Sequence, residues 1–166
     1  MKVSIGIDIG STTAKVVVME EGKCLFQRYE RHYSQGRQKT LELIRQAANL
    51  LKDREFTIAI SGSAGLGVAK AASIPFVQEV FATGELVRKI EPDTDVVIEL
   101  GGEDAKILFF DHRTGAFEER MNGSCAGGTG AFIDQMATLL ALTPTELDEL
   151  AVKHQFIYTI ASRCGV

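Results

Sequence analysis

The residues best able to do chemistry near the start of the chain lie in one turn between two strands. Asp8 ends an alternating apolar strand, and Gly10, Ser11, Thr12 and Thr13 follow it. Backbone amides and hydroxyls in such a turn can converge on an anion, because Gly10 has no side chain to block the approach. Asp8 is placed to hold a hydrated Mg²⁺ rather than to meet the phosphate itself. Taken alone, the turn fits a plain hairpin with a buried aspartate equally well.

A second turn of the same design begins about ninety residues further along the chain. A continuous apolar strand carries Glu99 near its end, and Gly101, Gly102, Glu103 and Asp104 follow. The glycines permit close approach of the backbone, and the acidic side chains can orient magnesium and water. Two such turns, each inside a strand-turn-strand hairpin, predict a clamp on the β- and γ-phosphates of a nucleotide. Neither turn has the GxxxxGK[ST] pattern of a Walker A loop, and neither is a GxGxxG turn that opens a helix.

The cysteines are Cys24, Cys125 and Cys164. Their odd number and wide spacing do not fit a disulfide framework, so a metal site would need ligands brought together by folding or by a second chain. Cys125 directly precedes a helix predicted from Ala131, and the helix dipole favours a thiolate there, which suits metal ligation or redox chemistry. The alternative is a small packing residue in a tight loop. We expect Cys24 to be a buried structural residue.

The histidines fall at a strand end, in a hairpin turn and at a helix end: His32, His112 and His154. No carboxylate or cysteine is patterned around them, so we expect exposed or capping roles. The motif GxSxG is absent, which argues against a serine hydrolase. The Gly/Ser/Ala segment 61–65 is predicted to be a strand-to-helix turn that borders the nucleotide cleft.

Hydrophobic periodicity predicts an α/β fold around these motifs. An antiparallel meander opens the chain, and the apolar segments that start at Phe56 and Asp95 are predicted to be buried parallel strands, while Gly115 lies in the turn of a later hairpin. Thr143 is predicted to be an N-cap, with Pro144 at the first helical position and a capping box closed by Glu146. The predicted strands are 3–9, 14–21, 23–33, 56–63, 95–102, 106–111, 116–121 and 156–162, and the predicted helices are 37–52, 81–90, 131–142 and one that begins at 144.

Bulk composition excludes several classes of protein. A net charge of -4 over 166 residues argues against a nucleic-acid surface, which needs an excess of Lys and Arg. No apolar run approaches the ~20 residues that cross a bilayer, and the N-terminus enters a strand without a signal-peptide pattern, so we expect a cytoplasmic protein. Because the sequence stops just beyond a predicted strand, within what reads as a motif, we expect a fragment of a longer chain.

The segments GIDIGSTTAK (6–15) and IELGGED (98–104) resemble the phosphate-1 and phosphate-2 motifs of the actin, sugar kinase and heat-shock chaperone superfamily. Lys15 matches a lysine of its activator branch, whereas Glu99 stands where the superfamily usually has Asp. The resemblance implies an actin-like (ribonuclease H-like) ATPase domain with a five-stranded mixed sheet, an antiparallel meander and flanking helices. It implies a first domain over 1–115 and, over 116–166, a cysteine-motif segment leading into a second such domain.

The segments NGSCAGGTGAFID (122–134) and ASRCGV (161–166) resemble the two cysteine motifs of the ATP-dependent activators of 2-hydroxyacyl-CoA dehydratases and benzoyl-CoA reductases, the BadF/BadG/BcrA/BcrD ATPase family. The resemblance implies that Cys125 and Cys164 ligate a [4Fe-4S] cluster shared with a second copy, or a homologous domain, across a twofold axis. It also implies ATP or ADP with Mg²⁺, an electron donor such as ferredoxin or flavodoxin, and a dehydratase or reductase partner.

The functional prediction is an ATPase that drives low-potential electron transfer to that partner enzyme. Its catalytic candidates are Asp8, Glu99 and Asp104, and its nucleotide-binding candidates are Gly10, Ser11, Thr12, Thr13, Lys15, Gly101, Gly102 and Glu103. One alternative is a sugar-kinase-like phosphotransferase of the N-acetylglucosamine kinase branch, which needs no thiolates. Another is a non-catalytic actin-like scaffold. The adenosine half of the site is expected beyond Val166, so the 166-residue chain alone is predicted to bind ATP weakly and to be inactive.

Overall fold

The computed structural model describes residues 2–123 and 125–158. The chain divides into two compact units, Met1–Pro92 and Asp93–Val166. This division falls earlier in the sequence than the domain boundary expected after residue 115, which stays a prediction. Each unit contains one sheet and its own helices.

The first unit is built on a four-stranded sheet whose strand order is β3-β2-β1-β4. The first three strands form the predicted antiparallel meander, and β4 adds to β1 in parallel, as its continuous apolar sequence indicates. Alternate residues of β1, from Val3 to Ile9, are buried in the core. The strands are β1 (Val3–Ile9), β2 (Thr13–Glu20), β3 (Lys23–Arg31) and β4 (Phe56–Ser61).

Three helices complete this unit: α1 (Gly36–Leu51), α2 (Gly65–Ala72) and α3 (Glu79–Ile90). The helix predicted over 37–52 is confirmed, and the turn after β4 leads into α2 as expected. The helical spacing of apolar residues predicts a buried face made of Leu41, Ile44, Ala48 and Leu51. Ile44 and Leu51 pack against the core as expected. Leu41 and Ala48 are exposed, and Leu43 and Ala47 are buried instead.

The second unit contains a separate antiparallel sheet of order β5-β6-β7, made of β5 (Val96–Leu100), β6 (Ala105–Asp111) and β7 (Ala116–Asn122). Gly115, at φ +69°, lies in the β6–β7 turn, which confirms the predicted hairpin. The expected five-stranded sheet is not what the described residues form. The apolar sequence of β5 was the reason to expect a parallel strand, but β5 pairs antiparallel with β6 there and starts a second sheet.

The helices of the second unit are α4 (Gly130–Leu139) and α5 (Pro144–Ala151), and a single 3-10 turn (Ala126–Gly128) precedes α4. The capping box at the start of α5 is confirmed: the Glu146 N–H donates to the Thr143 hydroxyl, and the Thr143 N–H donates to the Glu146 carboxylate. Residues 156–158 do not form a strand, and the rest of the strand predicted over 156–162 lies outside the described residues. No helix in the described part of the chain is long and apolar enough to span a bilayer.

Candidate functional site

The first acidic turn, Gly10–Thr13, is closed by the hairpin that carries it. We call it the first loop. The Gly10 N–H donates to the Thr13 carbonyl over 2.9 Å. The β1–β2 register sets Asp8 opposite Lys15, and the Lys15 Nζ lies 2.6 Å from the Asp8 Oδ2. Both side chains are about one-third exposed, so solvent reaches the pair at the end of the two inner strands.

The second carboxylate oxygen of Asp8 is the feature of this loop that fits a metal ion. Oδ1 is buried, and no residue in the described part of the chain hydrogen-bonds to it. A buried charged oxygen without a partner is costly unless a cation or bound water satisfies it. Gly62, at φ +92°, lies against Asp8, and a Cβ there would overlap both Oδ1 and the Ile9 carbonyl. The Asp8 Oδ1 and the glycine backbone beside it suit Mg²⁺, which prefers carboxylate and water oxygens as ligands.

The second acidic turn, Gly101–Asp104, which we call the second loop, repeats this geometry. The Gly101 N–H donates to the Asp104 carbonyl over 2.8 Å, and the β5–β6 register sets Glu99 opposite Lys106. The Lys106 Nζ lies 2.9 Å from Asp104 Oδ2 and 3.7 Å from Glu99 Oε1. Glu99 Oε2 is buried and has no hydrogen-bond partner within residues 2–123 and 125–158. Asp8 and Glu99 therefore have the same arrangement. One carboxylate oxygen of each lies near a lysine, and the other has no hydrogen-bond donor in the described part of the chain.

Lys106 is the residue of this site that sequence reasoning missed. Only 2% of its surface is exposed, and it lies between two carboxylates. A signal for it was present in the sequence, since Asp8 and Lys15 have the same separation as Glu99 and Lys106. In both hairpins this spacing places the acidic residue and the lysine opposite each other on neighbouring strands.

The remaining predicted nucleotide-binding residues differ in exposure. Ser11, Thr12 and Gly102 are half-buried, Thr13 is buried, and Glu103 is exposed. The first loop belongs to the first unit and the second loop to the second unit. The expectation that both hold the same phosphates stays a prediction.

Cys125 is half-buried and lies five residues before the start of α4. The expectation that it directly precedes a helix needs correction, because the 3-10 turn intervenes and α4 begins at Gly130. The first two amides of α4 are bound to the second loop: Gly130 N–H donates to the Gly101 carbonyl at 2.7 Å, and Ala131 N–H donates to the Gly102 carbonyl at 3.1 Å. The cysteine segment and the second loop thus share backbone hydrogen bonds.

The other half of the predicted metal site, Cys164, lies outside the described residues. Within the described ranges, no three His, Cys, Asp or Glu side chains converge on a point where they would hold a metal ion. Cys24 is exposed rather than buried, because β3 is the outer strand of its sheet and most of its residues are exposed.

One histidine differs from expectation, because His32 is buried beneath the first loop. His112 is exposed as expected, and its Nε2 lies 3.0 Å from the Asp95 Oδ1. His154 has the expected capping role, because its Nδ1 lies 2.8 Å from the Ala151 carbonyl at the end of α5.

Both loops and the cysteine segments fall inside a single family match. The model of the BadF/BadG/BcrA/BcrD ATPase family matches residues 5–166. This chain belongs to the BadF/BadG/BcrA/BcrD ATPase family. Family membership confirms the resemblance seen in the sequence motifs.

Individual relatives of this BadF/BadG/BcrA/BcrD family chain are named as dehydratase activators. The 2-hydroxyisocaproyl-CoA dehydratase activator of Clostridioides difficile is 28% identical over 166 residues, which cover 98% of this chain and 62% of the relative. The (R)-2-hydroxyglutaryl-CoA dehydratase activating ATPase of Acidaminococcus fermentans is 28% identical over 167 residues, 98% of this chain and 63% of the relative. The chain therefore spans less than two-thirds of the length of these relatives.

A solved structure supports the α/β actin-like ATPase fold of this family member. The activator of the 2-hydroxyisocaproyl-CoA dehydratase from Clostridium difficile, with bound ADPNP, superposes with a TM-score of 0.82 at 27% identity. The match covers 98% of this chain and 61% of that chain.

The space beside Asp8 predicts the effect of a small substitution. Gly62→Ala forces a left-handed conformation on alanine and displaces Asp8, and it is expected to lower the free energy of unfolding by about 1–3 kcal/mol. Gly67→Ala is the matched control, because Gly67 lies in α2 with open space around it, and it is expected to stabilise by up to about 1 kcal/mol. Chemical denaturation measures both, and equal stabilities would contradict the contact between Gly62 and Asp8.

The two lysines predict a second contrast. Lys106→Met leaves two carboxylates beside a buried apolar side chain and is expected to lower the free energy of unfolding by about 3 kcal/mol. Lys15→Met removes the equivalent partner in the first hairpin, where the lysine side chain is 32% exposed, and is expected to cost about 1 kcal/mol or less. Thermal unfolding of the two variants compares them. If Lys15→Met lowered the stability as much as Lys106→Met, burial would not set the strength of these ion pairs.

Proposed function

We propose that this protein is an ATP-dependent activator that couples ATP hydrolysis to low-potential electron transfer. Cys125 and Cys164 would hold a [4Fe-4S] cluster together with a second copy, or a homologous domain, and the cluster would supply one-electron chemistry between a donor such as reduced ferredoxin or flavodoxin and the acceptor. The acceptor is a 2-hydroxyacyl-CoA dehydratase or a related reductase of CoA substrates. The observation that carries the proposal is the pair of hydrogen bonds that joins the second loop to the helix after Cys125.

In this proposal the two loops bind the phosphates of ATP. The glycines leave the backbone accessible, and the hydroxyls of Ser11, Thr12 and Thr13 are placed around the same turn. Asp8 and Glu99 each present a buried oxygen that lacks a partner in the described part of the chain, and these oxygens would hold Mg²⁺ or its waters. Magnesium, when bound, neutralises charge that develops on the transferred phosphoryl group.

Lys15 and Lys106 then fix the direction of the acidic side chains. Lys15 holds Asp8 through Oδ2, which leaves Oδ1 buried against the backbone of Gly62. Lys106 holds Asp104 and Glu99 together and compensates their charge before a cation arrives. In this proposal Asp104 orients the attacking water, and Glu99 supplies the remaining oxygen to the metal ion.

The cluster ligands proposed in this chain are Cys125 and Cys164. Two thiolates per chain complete the four that such a cluster needs only when a second copy or a homologous domain contributes two more. Cys125 is partly exposed, as a ligand at a boundary between subunits must be. The cluster, when bound, supplies the one-electron chemistry that the protein side chains cannot supply themselves.

Coupling between nucleotide and cluster follows from the bonds at the start of α4. A shift of Gly101 or Gly102 on binding or losing the γ-phosphate changes the acceptors of the Gly130 and Ala131 amides. The start of α4 packs closely against the second loop, because a Cβ on Gly130 would lie only 3.0 Å from the Gly101 carbonyl oxygen. Movement of the second loop is therefore passed to α4 and to the cysteine segment before it.

A sugar-kinase-like phosphotransferase is the main alternative, since it would use the same loops. It has no need of thiolates, so the double variant Cys125→Ser/Cys164→Ser separates the two functions. A kinase retains its phosphotransfer activity in this variant, whereas the activator loses its cluster and its ability to reduce the partner enzyme. A non-catalytic actin-like scaffold would show neither phosphotransfer nor reduction of the partner enzyme, with or without the two cysteines.

Iron content is the experiment that tests the proposal. The protein at its natural length, reconstituted anaerobically with iron and sulfide, is expected to be brown and to contain about four iron atoms per dimer. Cys125→Ser is expected to lose most of this iron. Cys24→Ser is the matched control, since Cys24 is an exposed thiol on β3 outside both cysteine motifs, and it is expected to retain the iron.

A colourless reconstituted protein would contradict the proposal, as would an iron content that Cys125→Ser leaves unchanged. Equal losses in Cys125→Ser and Cys24→Ser would mean that the iron was bound non-specifically by thiols.

A further inference from the structure

His32 lies outside the predicted sites and makes two hydrogen bonds to the first loop. It follows β3 and is only 6% exposed. Its backbone N–H donates to the Thr12 carbonyl at 3.1 Å, and its Nε2 lies 3.0 Å from the Gly10 carbonyl oxygen. One residue therefore binds two carbonyl groups of the turn that carries Ser11.

The partners of the ring assign its tautomer. A carbonyl oxygen only accepts hydrogen bonds, so Nε2 must carry the proton that it donates to Gly10. Nδ1 is buried and has no hydrogen-bond partner among the described residues. The geometry thus requires the Nε2–H form, and the other neutral tautomer would lose the bond to the loop.

These two bonds fix the direction of the peptide groups in the first loop. The Gly10–Ser11 and Thr12–Thr13 peptides are trans, and in a trans peptide the carbonyl and the N–H point in opposite directions. Because the Gly10 and Thr12 carbonyls point towards His32, the N–H groups of Ser11 and Thr13 point away from it. Carbonyl oxygens that faced a phosphate would repel it, whereas N–H groups attract it.

His32 is itself held in place by the start of α1. Its carbonyl accepts a 2.7 Å hydrogen bond from the Gln35 N–H. The ring lies against Gly36, where an added Cβ would come within 3.7 Å of the imidazole and 3.3 Å of Ile9. The imidazole is therefore packed between the first loop and the beginning of the helix.

We propose that His32 is a positioning residue for nucleotide binding: its backbone N–H holds the Thr12 carbonyl and its Nε2–H holds the Gly10 carbonyl, which turns the amide of Ser11 towards the phosphates. The inference rests on the proposed role of the first loop as a phosphate-binding turn. His32 touches no phosphate in this arrangement and acts only through the loop.

Three variants in the protein at its natural length test the role. His32→Leu fills the space without a donor, His32→Gln supplies a side-chain amide N–H that can reach the Gly10 carbonyl, and His154→Gln is the matched control. His154 also bonds to a main-chain carbonyl, but at the end of α5. Calorimetry measures the affinity of each variant for ATP with Mg²⁺ and for adenosine alone.

His32→Leu is expected to weaken ATP binding about tenfold, as the loss of one buried hydrogen bond implies. His32→Gln and His154→Gln are expected to stay within about threefold of the unchanged protein. Adenosine affinity should be the same throughout, because adenosine does not reach the loop. The proposal is overturned if His32→Gln binds ATP no better than His32→Leu, or if adenosine affinity falls in parallel with ATP affinity.

A second measurement keeps this inference separate from the proposed function. If the unchanged protein binds no ATP, the proposed function fails, but long-range proton–nitrogen NMR of His32 still decides its contact with the loop. The signals of His32 are those lost in His32→Gln. The Nε2–H tautomer is expected, together with a Ser11 amide shift that changes in His32→Leu and is restored in His32→Gln. An Nδ1–H tautomer, or a Ser11 amide that does not respond to His32→Leu, would overturn the positioning role.

Discussion

The candidate sites in both units depend on the register of an antiparallel hairpin. In the first hairpin the register sets Asp8 opposite Lys15, and in the second it sets Glu99 opposite Lys106. A slip of one residue would turn each carboxylate to the other face of its sheet. With the observed register, a lysine fixes one oxygen of each acid, and the other oxygen is buried without a protein partner in the described part of the chain. The same local design thus serves twice in one chain.

The second hairpin has an additional constraint that the first lacks. Its glycine turn accepts hydrogen bonds from the first two amides of α4, and Gly130 allows the helix to approach the Gly101 carbonyl closely. A helix start normally leaves its first amides for a cap, a ligand or water. Here the second loop accepts two of them, which joins the loop to the start of α4 through the backbone.

Local patterns predicted the local structure well. The capping box at Thr143 and both glycine turns depend on residues near each other in sequence, and each is observed as expected. Contacts that depend on tertiary packing were not predictable in the same way. The burial of His32 has no sequence signal, the burial of Lys106 had only its repeated spacing, and the apolar sequence of β5 did not show that it pairs antiparallel in a second sheet. Resemblance to the family motifs supplied the proposed role of Cys125, which composition alone left open.

The proposed coupling requires that the second loop and the cysteine segment respond together to nucleotide. NMR-detected hydrogen exchange at the Gly130 and Ala131 amides tests it most directly, in the protein at its natural length with Mg²⁺ and either ADP or a non-hydrolysable ATP analogue. The account predicts that exchange at both amides differs between the two nucleotides by about tenfold or more, in step with the amides of the second loop. Exchange at Gly130 and Ala131 that stays the same while the second loop responds would contradict it.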